Sequence, residues 1–252
     1  MEWLTPNWPA ASNIRALTTL KCGGYSRGSY QGLNLAAHVG DDPKAVHANR
    51  GLLNSTLHLP SAPFWLTQVH GTAVAELSET ALHDSACPEA DASVSFRANE
   101  VCAVLTADCL PILLCDEQGT RISAIHAGWR GLAAGVIEAA VKRLACPPDR
   151  LMAWLAPAIG PEAFEVGKEV VDSFTKACGS ECLSLSRSAF KQTSPTTWQA
   201  DIYQLASIQL HALGIDRIFG GEYCTYTDPK RFYSYRRTAK TGRIATLIWR
   251  TS

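Results

Sequence analysis

Several absences narrow the class of this chain before any motif is read. It has no long apolar run, which excludes a membrane-spanning helix. It has no charge excess, 23 Lys+Arg standing against 23 Asp+Glu, so its surface as a whole is not built to grip a polyanion. Charge itself is scarce at 18%, while hydrophobic residues reach 46%, the balance of a chain that buries a core rather than one that stays disordered. Internal repeats and Pro/Ser-rich linkers are missing, and so are the glycine-rich loops that cradle phosphate in P-loop and dinucleotide folds. Residues 1–6 have neither the basic start nor the apolar core of a signal peptide, which points to the cytoplasm. None of the nine cysteines is spaced as CxxC, so most are expected to be small buried hydrophobes in a reducing compartment. At 252 residues the chain needs no disulfide or metal staple to fold, and residues 1–252 read as one domain.

Strand and helix patterns alternate along the chain. Apolar runs predict strands over 14–20, 64–69, 101–105, 112–115, 121–125, 152–155, 215–219 and 244–249. A Gly/Ser/Tyr-rich stretch over 22–34 reads as a loop. Asp42 is a candidate N-cap and Pro43 a first-turn residue for a helix over 43–57. Further helices are expected over 132–144, 166–177 and 201–213, the last stopped by Gly214. The pattern is that of an α/β protein, a central mixed sheet covered by helices.

Three residues stand where an apolar run gives way to a loop of small residues: His70 before Gly71, Cys109 after Asp108, and His126 before Ala127-Gly128. Two imidazoles and a thiolate suit one Zn²⁺ or Cu²⁺, and three protein ligands leave a fourth position open. Their wide spacing is unlike structural zinc knots, whose ligands come in close pairs. The same atoms admit another chemistry, with Cys109 as a nucleophile activated by His126 or His70. Spacing does not separate ligand from nucleophile. Cys102 and Cys115 lie in apolar strands and read as core, Cys178 and Cys182 as a possible pair of thiols, and the remaining histidines, His38 and His83 among them, carry no assigned role.

The C-terminal stretch is locally basic. Lys230, Arg231, Arg236, Arg237, Lys240, Arg243 and Arg250 are interleaved with Phe232, Tyr233 and Tyr235, and no acidic residue intervenes. Such a stretch either binds a small anionic or nucleotide-like ligand, or is a solvated surface loop. A nucleotide- or RNA-binding protein without turnover is the non-enzymatic alternative.

Longer motifs run through the same residues: Gly32-Leu33-Asn34-Leu35, His38-Val39-Gly40-Asp41-Asp42, Thr67-Gln68-Val69-His70-Gly71, Thr106-Ala107-Asp108-Cys109-Leu110-Pro111 and His126-Ala127-Gly128-Trp129-Arg130-Gly131. Gly160-Pro161, 164–167, Cys224-Thr225-Tyr226, 232–237 and Thr241-Gly242-Arg243 continue the series. In these motifs, from about residue 20 to 250, the chain resembles the YfiH family. This is also called the laccase-domain or multicopper polyphenol oxidoreductase family and includes peptidoglycan editing factors. One departure is residues 96–100, which lack the Pro-Gly turn of the family pattern.

The resemblance implies an α/β/α sandwich and a one-ion metal site of His70, Cys109 and His126. It also implies several activities: phosphorolysis of purine nucleosides and of methylthioadenosine, adenosine deamination, copper-dependent oxidation of phenols, and Cys-dependent amide hydrolysis of UDP-MurNAc-L-Ser. A four-copper laccase needs more imidazoles than seven histidines supply, so any copper is expected as a single ion. Zinc deaminases carry a Glu two residues after the ligand His, where this chain has Gly128, which leaves Asp108 as candidate proton carrier. Arg50, Arg130, Tyr235 and Arg236 are candidates for holding an anionic substrate, with Asn34 and Gln68 from the matching stretches beside them. The expected partners are a small molecule (nucleoside, phosphate or UDP-linked precursor), with no nucleic acid and no membrane; a homodimer is left open.

Overall fold

The computed structural model describes residues 1–77, 87–177 and 187–252, so His83, Cys178 and Cys182 lie outside the described residues. Within it, the two long apolar runs at the centre of the chain become strands of different sheets. The first run is β5 (Val101–Thr106), which joins β1 (Trp3–Leu4), β2 (Ile14–Thr19) and β13 (Ile244–Arg250) in an antiparallel sheet of order β1-β2-β13-β5. The second is β6 (Leu110–Asp116), in a mixed sheet with β3 (Val74–Glu76), β4 (Ala92–Ser95), β7 (Ile122–Ala127), β8 (Leu151–Leu155) and β12 (Arg217–Gly220). Its order is β12-β8-β6-β7-β4-β3. A small antiparallel sheet is formed by β9 (Glu165–Gly167), β10 (Phe190–Gln192) and β11 (Thr197–Ala200).

The two larger sheets pack face to face. Leu113 and Cys115 of β6, Ile122 and Ala124 of β7, and Met152 and Trp154 of β8 meet Cys102, Val104 and Ile248 from the antiparallel sheet. The alternate residues Leu110, Ile112, Leu114 and Ile125 face outward, under α2 (Trp129–Ala134), α3 (Val136–Leu144) and α5 (Ile202–Ala212). On the far side, Val101, Ala103, Ala245 and Leu247 face Leu53 of α1 (Pro43–Leu57). Helices therefore cover both outer faces, as the α/β/α expectation requires, with a double layer of sheet between them. Strands buried on both faces have no polar side to alternate with, which is why these segments read as continuous apolar runs.

Local signals place several elements well. Asp42 caps α1 by accepting from the Lys44 amide at 3.0 Å, with Pro43 in the first turn. The helix expected over 132–144 is two helices, because Gly135 takes φ +94 between α2 and α3, a turn that apolar periodicity does not register. The strand expected over 64–69 touches its neighbours only through isolated bridges, Phe64 with Cys102 and Thr67 with Glu89. There the Gln68 side chain bonds β5 instead of the backbone, donating to the Leu105 carbonyl and accepting from its amide, both at 2.8 Å. The turn over 96–100, without Pro-Gly, uses Asn99 at φ +68 and carries the chain from one sheet to the other. Among the described residues no helix is long and apolar enough to cross a membrane.

Leu113 is fully buried between the sheets. Leu113→Ala should lower unfolding stability by about 2–5 kcal/mol in a denaturant titration, through lost burial and the cavity left behind.

Candidate metal centre and its cleft

Residues 107–109 carry the chain from the antiparallel sheet to the mixed sheet. Asp108 turns there at φ +89, a conformation that residues with a side chain rarely adopt. Its carboxylate holds the turn: Oδ1 accepts from Thr225 Oγ1 at 2.6 Å, and Oδ2 from Ser234 Oγ at 2.9 Å and the Arg236 amide at 2.7 Å. This presents Cys109 at the start of β6. Across the ladder Leu110 pairs with Ala127 and Pro111 with His126, so the end of β7 comes alongside. His70 arrives on the segment anchored by Gln68, itself at φ +62.

Asp91, fully buried, ties two of these pieces together. Its Oδ2 accepts from the amides of Val69 at 3.2 Å and Gly71 at 2.6 Å, and its Oδ1 from the His70 amide at 2.9 Å. His126 Nδ1 donates to Oδ1 at 2.8 Å, which fixes the ring and turns Nε2 toward Cys109. The candidate ligand atoms of His70, Cys109 and His126 lie within 4.8 Å of one another, with Cys109 Sγ 3.7 Å from His70 Nε2. Gly128 keeps the centre open, since a Cβ there would stand 2.6 Å from His70 Cδ2 and 3.2 Å from Cys109 Sγ.

Burial pushes the Cys109 thiol up, but the charge of His126 and hydrogen bonds from His126 and His70 outweigh it and bring the thiol down to about 6. Burial likewise works against charge on His126, and the Cys109 thiolate and the Asp91 carboxylate raise it to about 9. Asp91 is pushed up by burial and held below the usual carboxylate range by His126 and the backbone amides of Gly71 and His70. A thiolate beside two imidazoles, one oriented by a carboxylate, can hold one ion with a preference for Zn²⁺ or copper. Cys102 and Cys115 are core residues as expected, with burial pushing both thiols up to about 12.

The model of the family described as multi-copper polyphenol oxidoreductase laccase matches residues 15–251. The chain belongs to this family. It is 51% identical to a purine nucleoside phosphorylase of Pseudomonas aeruginosa, with 98% of each chain covered. It is 46% identical to the purine nucleoside phosphorylase YfiH of Escherichia coli, again with 98% of each covered. Among solved structures it superposes on a Neisseria meningitidis protein with TM-score 0.93 at 43% identity, covering 100% of both chains. YlmD from Geobacillus stearothermophilus matches with TM-score 0.93 at 30% identity, over 100% of this chain and 97% of the other.

In this laccase-family chain the three candidate ligands open on a cleft of about 670 Å³, which Gln68, Asp108, Arg130, Tyr235 and Arg236 also line. Asn34 and Arg50 are not among its lining residues. Asn34 is fully buried, its amide spent on Ala36, Asp41 and the Arg243 backbone. Arg50 donates to the Leu35 carbonyl and stacks 4.4 Å from the Trp65 ring. Asp108 has both oxygens engaged in holding the turn, which argues against a proton-carrying role. The basic C-terminal stretch spends much of its charge on its own loop: Arg237 donates to the carbonyls of Thr225, Tyr226 and Phe232, and Arg231 pairs with Asp228. Sequence reasoning missed Asp91, which has no distinguishing spacing, and left His38 without a role although it lines the cleft.

Asp91→Asn should weaken metal retention by about 10–100-fold in a chelator competition, because His126 loses its oriented carboxylate. With the metal stripped, Cys109 should react with iodoacetamide as a thiolate above pH of about 6. Its rate should fall as pH drops through that value, and Asp91→Asn should move the midpoint upward, because a less basic His126 stabilises the thiolate less.

Proposed function

We propose that the protein is an enzyme that cleaves purine nucleosides by phosphorolysis, adenosine and inosine first among them, at a single metal ion held by His70, Cys109 and His126. The observation that carries this reading is that the triad lines a cleft together with arginines and aromatic rings, Trp129, Phe164 and Tyr235 among them. The purine nucleoside phosphorylase names of relatives at 51% and 46% identity support it. In the overall reaction phosphate replaces the purine at C1′ of the sugar, and the base departs with a proton. When bound, the metal supplies Lewis-acid charge at an electronegative atom of the substrate.

The chain's own residues contribute position and charge. The aromatic walls offer ring surfaces to the purine, and Asp91 holds His126 in one tautomer. Arginine side chains attract the phosphate co-substrate. Methylthioadenosine fits the same reaction class. For deamination the candidate proton carrier Asp108 is committed to three donors, and the other carboxylates lining the cleft, Glu165 and Glu169, stand on its opposite wall from Arg243. Among the described residues the triad is the group of three or more candidate ligands that converges, which favours one ion over a multicopper cluster, and phenol oxidation ranks below phosphorolysis.

A second reading has its own observation. Cys109, His126 and Asp91 form a thiolate–imidazolium–carboxylate relay, the arrangement of a Cys-dependent amidase. Its substrate would be a UDP-linked muramoyl amino acid such as UDP-MurNAc-L-Ser. The two readings separate on reagents. Phosphorolysis at a metal site should be lost on chelation, restored by Zn²⁺ or Cu²⁺, and absent in Cys109→Ala together with bound metal. Amide hydrolysis that survives chelation but not alkylation of Cys109 would replace it, and full adenosine cleavage by Cys109→Ala would refute the site.

A further inference from the structure

Arg243 precedes β13 at the point where Ile244 pairs with Thr106 at the end of β5. Its side chain lines the cleft. Nη1 donates to the carbonyls of Thr241 at 2.9 Å and Gly242 at 3.0 Å, which aims the guanidinium without neutralising it. Among the described residues no carboxylate forms an ion pair with it, although burial works against its charge. The anionic groups nearest to it electrostatically are Cys109 and Asp108, and Asp108 already accepts from three donors. The guanidinium is half-buried and lies 5.9 Å over the Tyr235 ring, and with no carboxylate bonded to it, it remains able to pair with an anion that enters the cleft.

Two neighbours also line the cleft near Arg243, Thr106 through the β5–β13 pairing and His38 through its electrostatic contact with the guanidinium. Thr106 is 2% exposed, lines the cleft, and its Oγ1 has no hydrogen-bond partner among the described residues. His38 also lines the cleft, and burial and the charges of Arg243 and Arg50 disfavour its protonation. It is exposed, and its ring nitrogens can hydrogen-bond a ligand in the cleft. The other candidate arginines are differently occupied. Arg236 Nη1 donates to the Glu165 carbonyl at 2.7 Å, and Arg130 lies 4.2 Å over the Trp129 ring. The wall supplied by β9 and the following helix α4 (Lys168–Ala177) is of opposite character, with buried Phe164, Val166 and Val170 beside the carboxylates of Glu165 and Glu169.

We propose that Arg243, Thr106 and His38 form a phosphate subsite on the β5–β13 side of the triad, and that the apolar β9–α4 wall receives the organic part of the ligand. The chemistry recognised is a phosphate oxyanion, brought either as inorganic phosphate or as the phosphate of a nucleotide-linked ligand. The first source rests on the phosphorolysis reading above; the second does not.

The test is calorimetric binding of inorganic phosphate, and separately of uridine diphosphate, to the metal-loaded protein and to its Arg243→Met, Arg243→Lys and Thr106→Val variants. Loss of a charged hydrogen-bond donor should weaken phosphate about 10–100-fold in Arg243→Met, with partial rescue in Arg243→Lys and metal content unchanged. Thr106→Val removes only an unpartnered hydroxyl, so it should keep or raise the thermal midpoint while weakening phosphate, a combination a purely structural threonine would not produce. Should Arg243→Met fail to fold, Thr106→Val decides. Phosphate binding equal to wild type in the folded variants overturns the subsite, as does wild-type protein that binds neither probe. Arg243-dependent phosphate binding without nucleoside cleavage supports the subsite and sinks phosphorolysis. Arg243-dependent binding of uridine diphosphate alone supports it with the nucleotide-linked source.

Discussion

The Asp91 carboxylate is the constraint on which the centre depends. A buried charge is tolerable only when it is surrounded by donors, and Asp91 has three backbone amides from residues 69–71 together with His126 Nδ1. Those bonds do two jobs at once. They hold the His70 segment, which no sheet pairs, in a left-handed turn, and they orient the imidazole of a strand residue. Remove the charge and both ligands lose their reference point, although neither touches the other through the backbone.

The double layer of sheet supplies the rest of the rigidity. Because β5 and β6 belong to different sheets, the three residues between them must carry the chain from one sheet to the other. Asp108 absorbs that turn at a positive φ, and the Thr225 and Ser234 hydroxyls and the Arg236 amide stabilise it. The same clamp brings the C-terminal loop over the cleft, so the conformation that presents Cys109 and the conformation that presents Tyr235 and Arg236 are set together.

Charge in the cleft is distributed unevenly. A thiolate and two imidazoles line it, with a guanidinium bonded to no carboxylate and a partnerless hydroxyl on one side, and aromatic and apolar groups with two carboxylates on the β9–α4 side. Such polarity suits a ligand with one anionic end and one flat apolar end. It also explains why zero net charge is no obstacle to anion binding: the balance over the whole chain says nothing about a few groups withdrawn from water, where each interaction is stronger.

Much of the fold was legible because it is written locally. Asp42 and Pro43 start α1, Gly214 ends α5 at φ +86, and runs such as 101–105 and 112–115 are apolar throughout because both faces are covered. The residue types of the triad were legible too, since only a few side chains bind metal or act as nucleophiles. By itself, then, the sequence determined the α/β class, most elements and the identity of three chemically capable side chains. Only the tertiary structure decided that the central layer is two sheets, that Asp91 rather than Asp108 serves the histidines, and that Arg243 faces the cleft while Arg50 does not. Those outcomes depend on strand register and on which buried charge finds a partner. Both are properties of contacts between residues far apart in the chain, which no local pattern records.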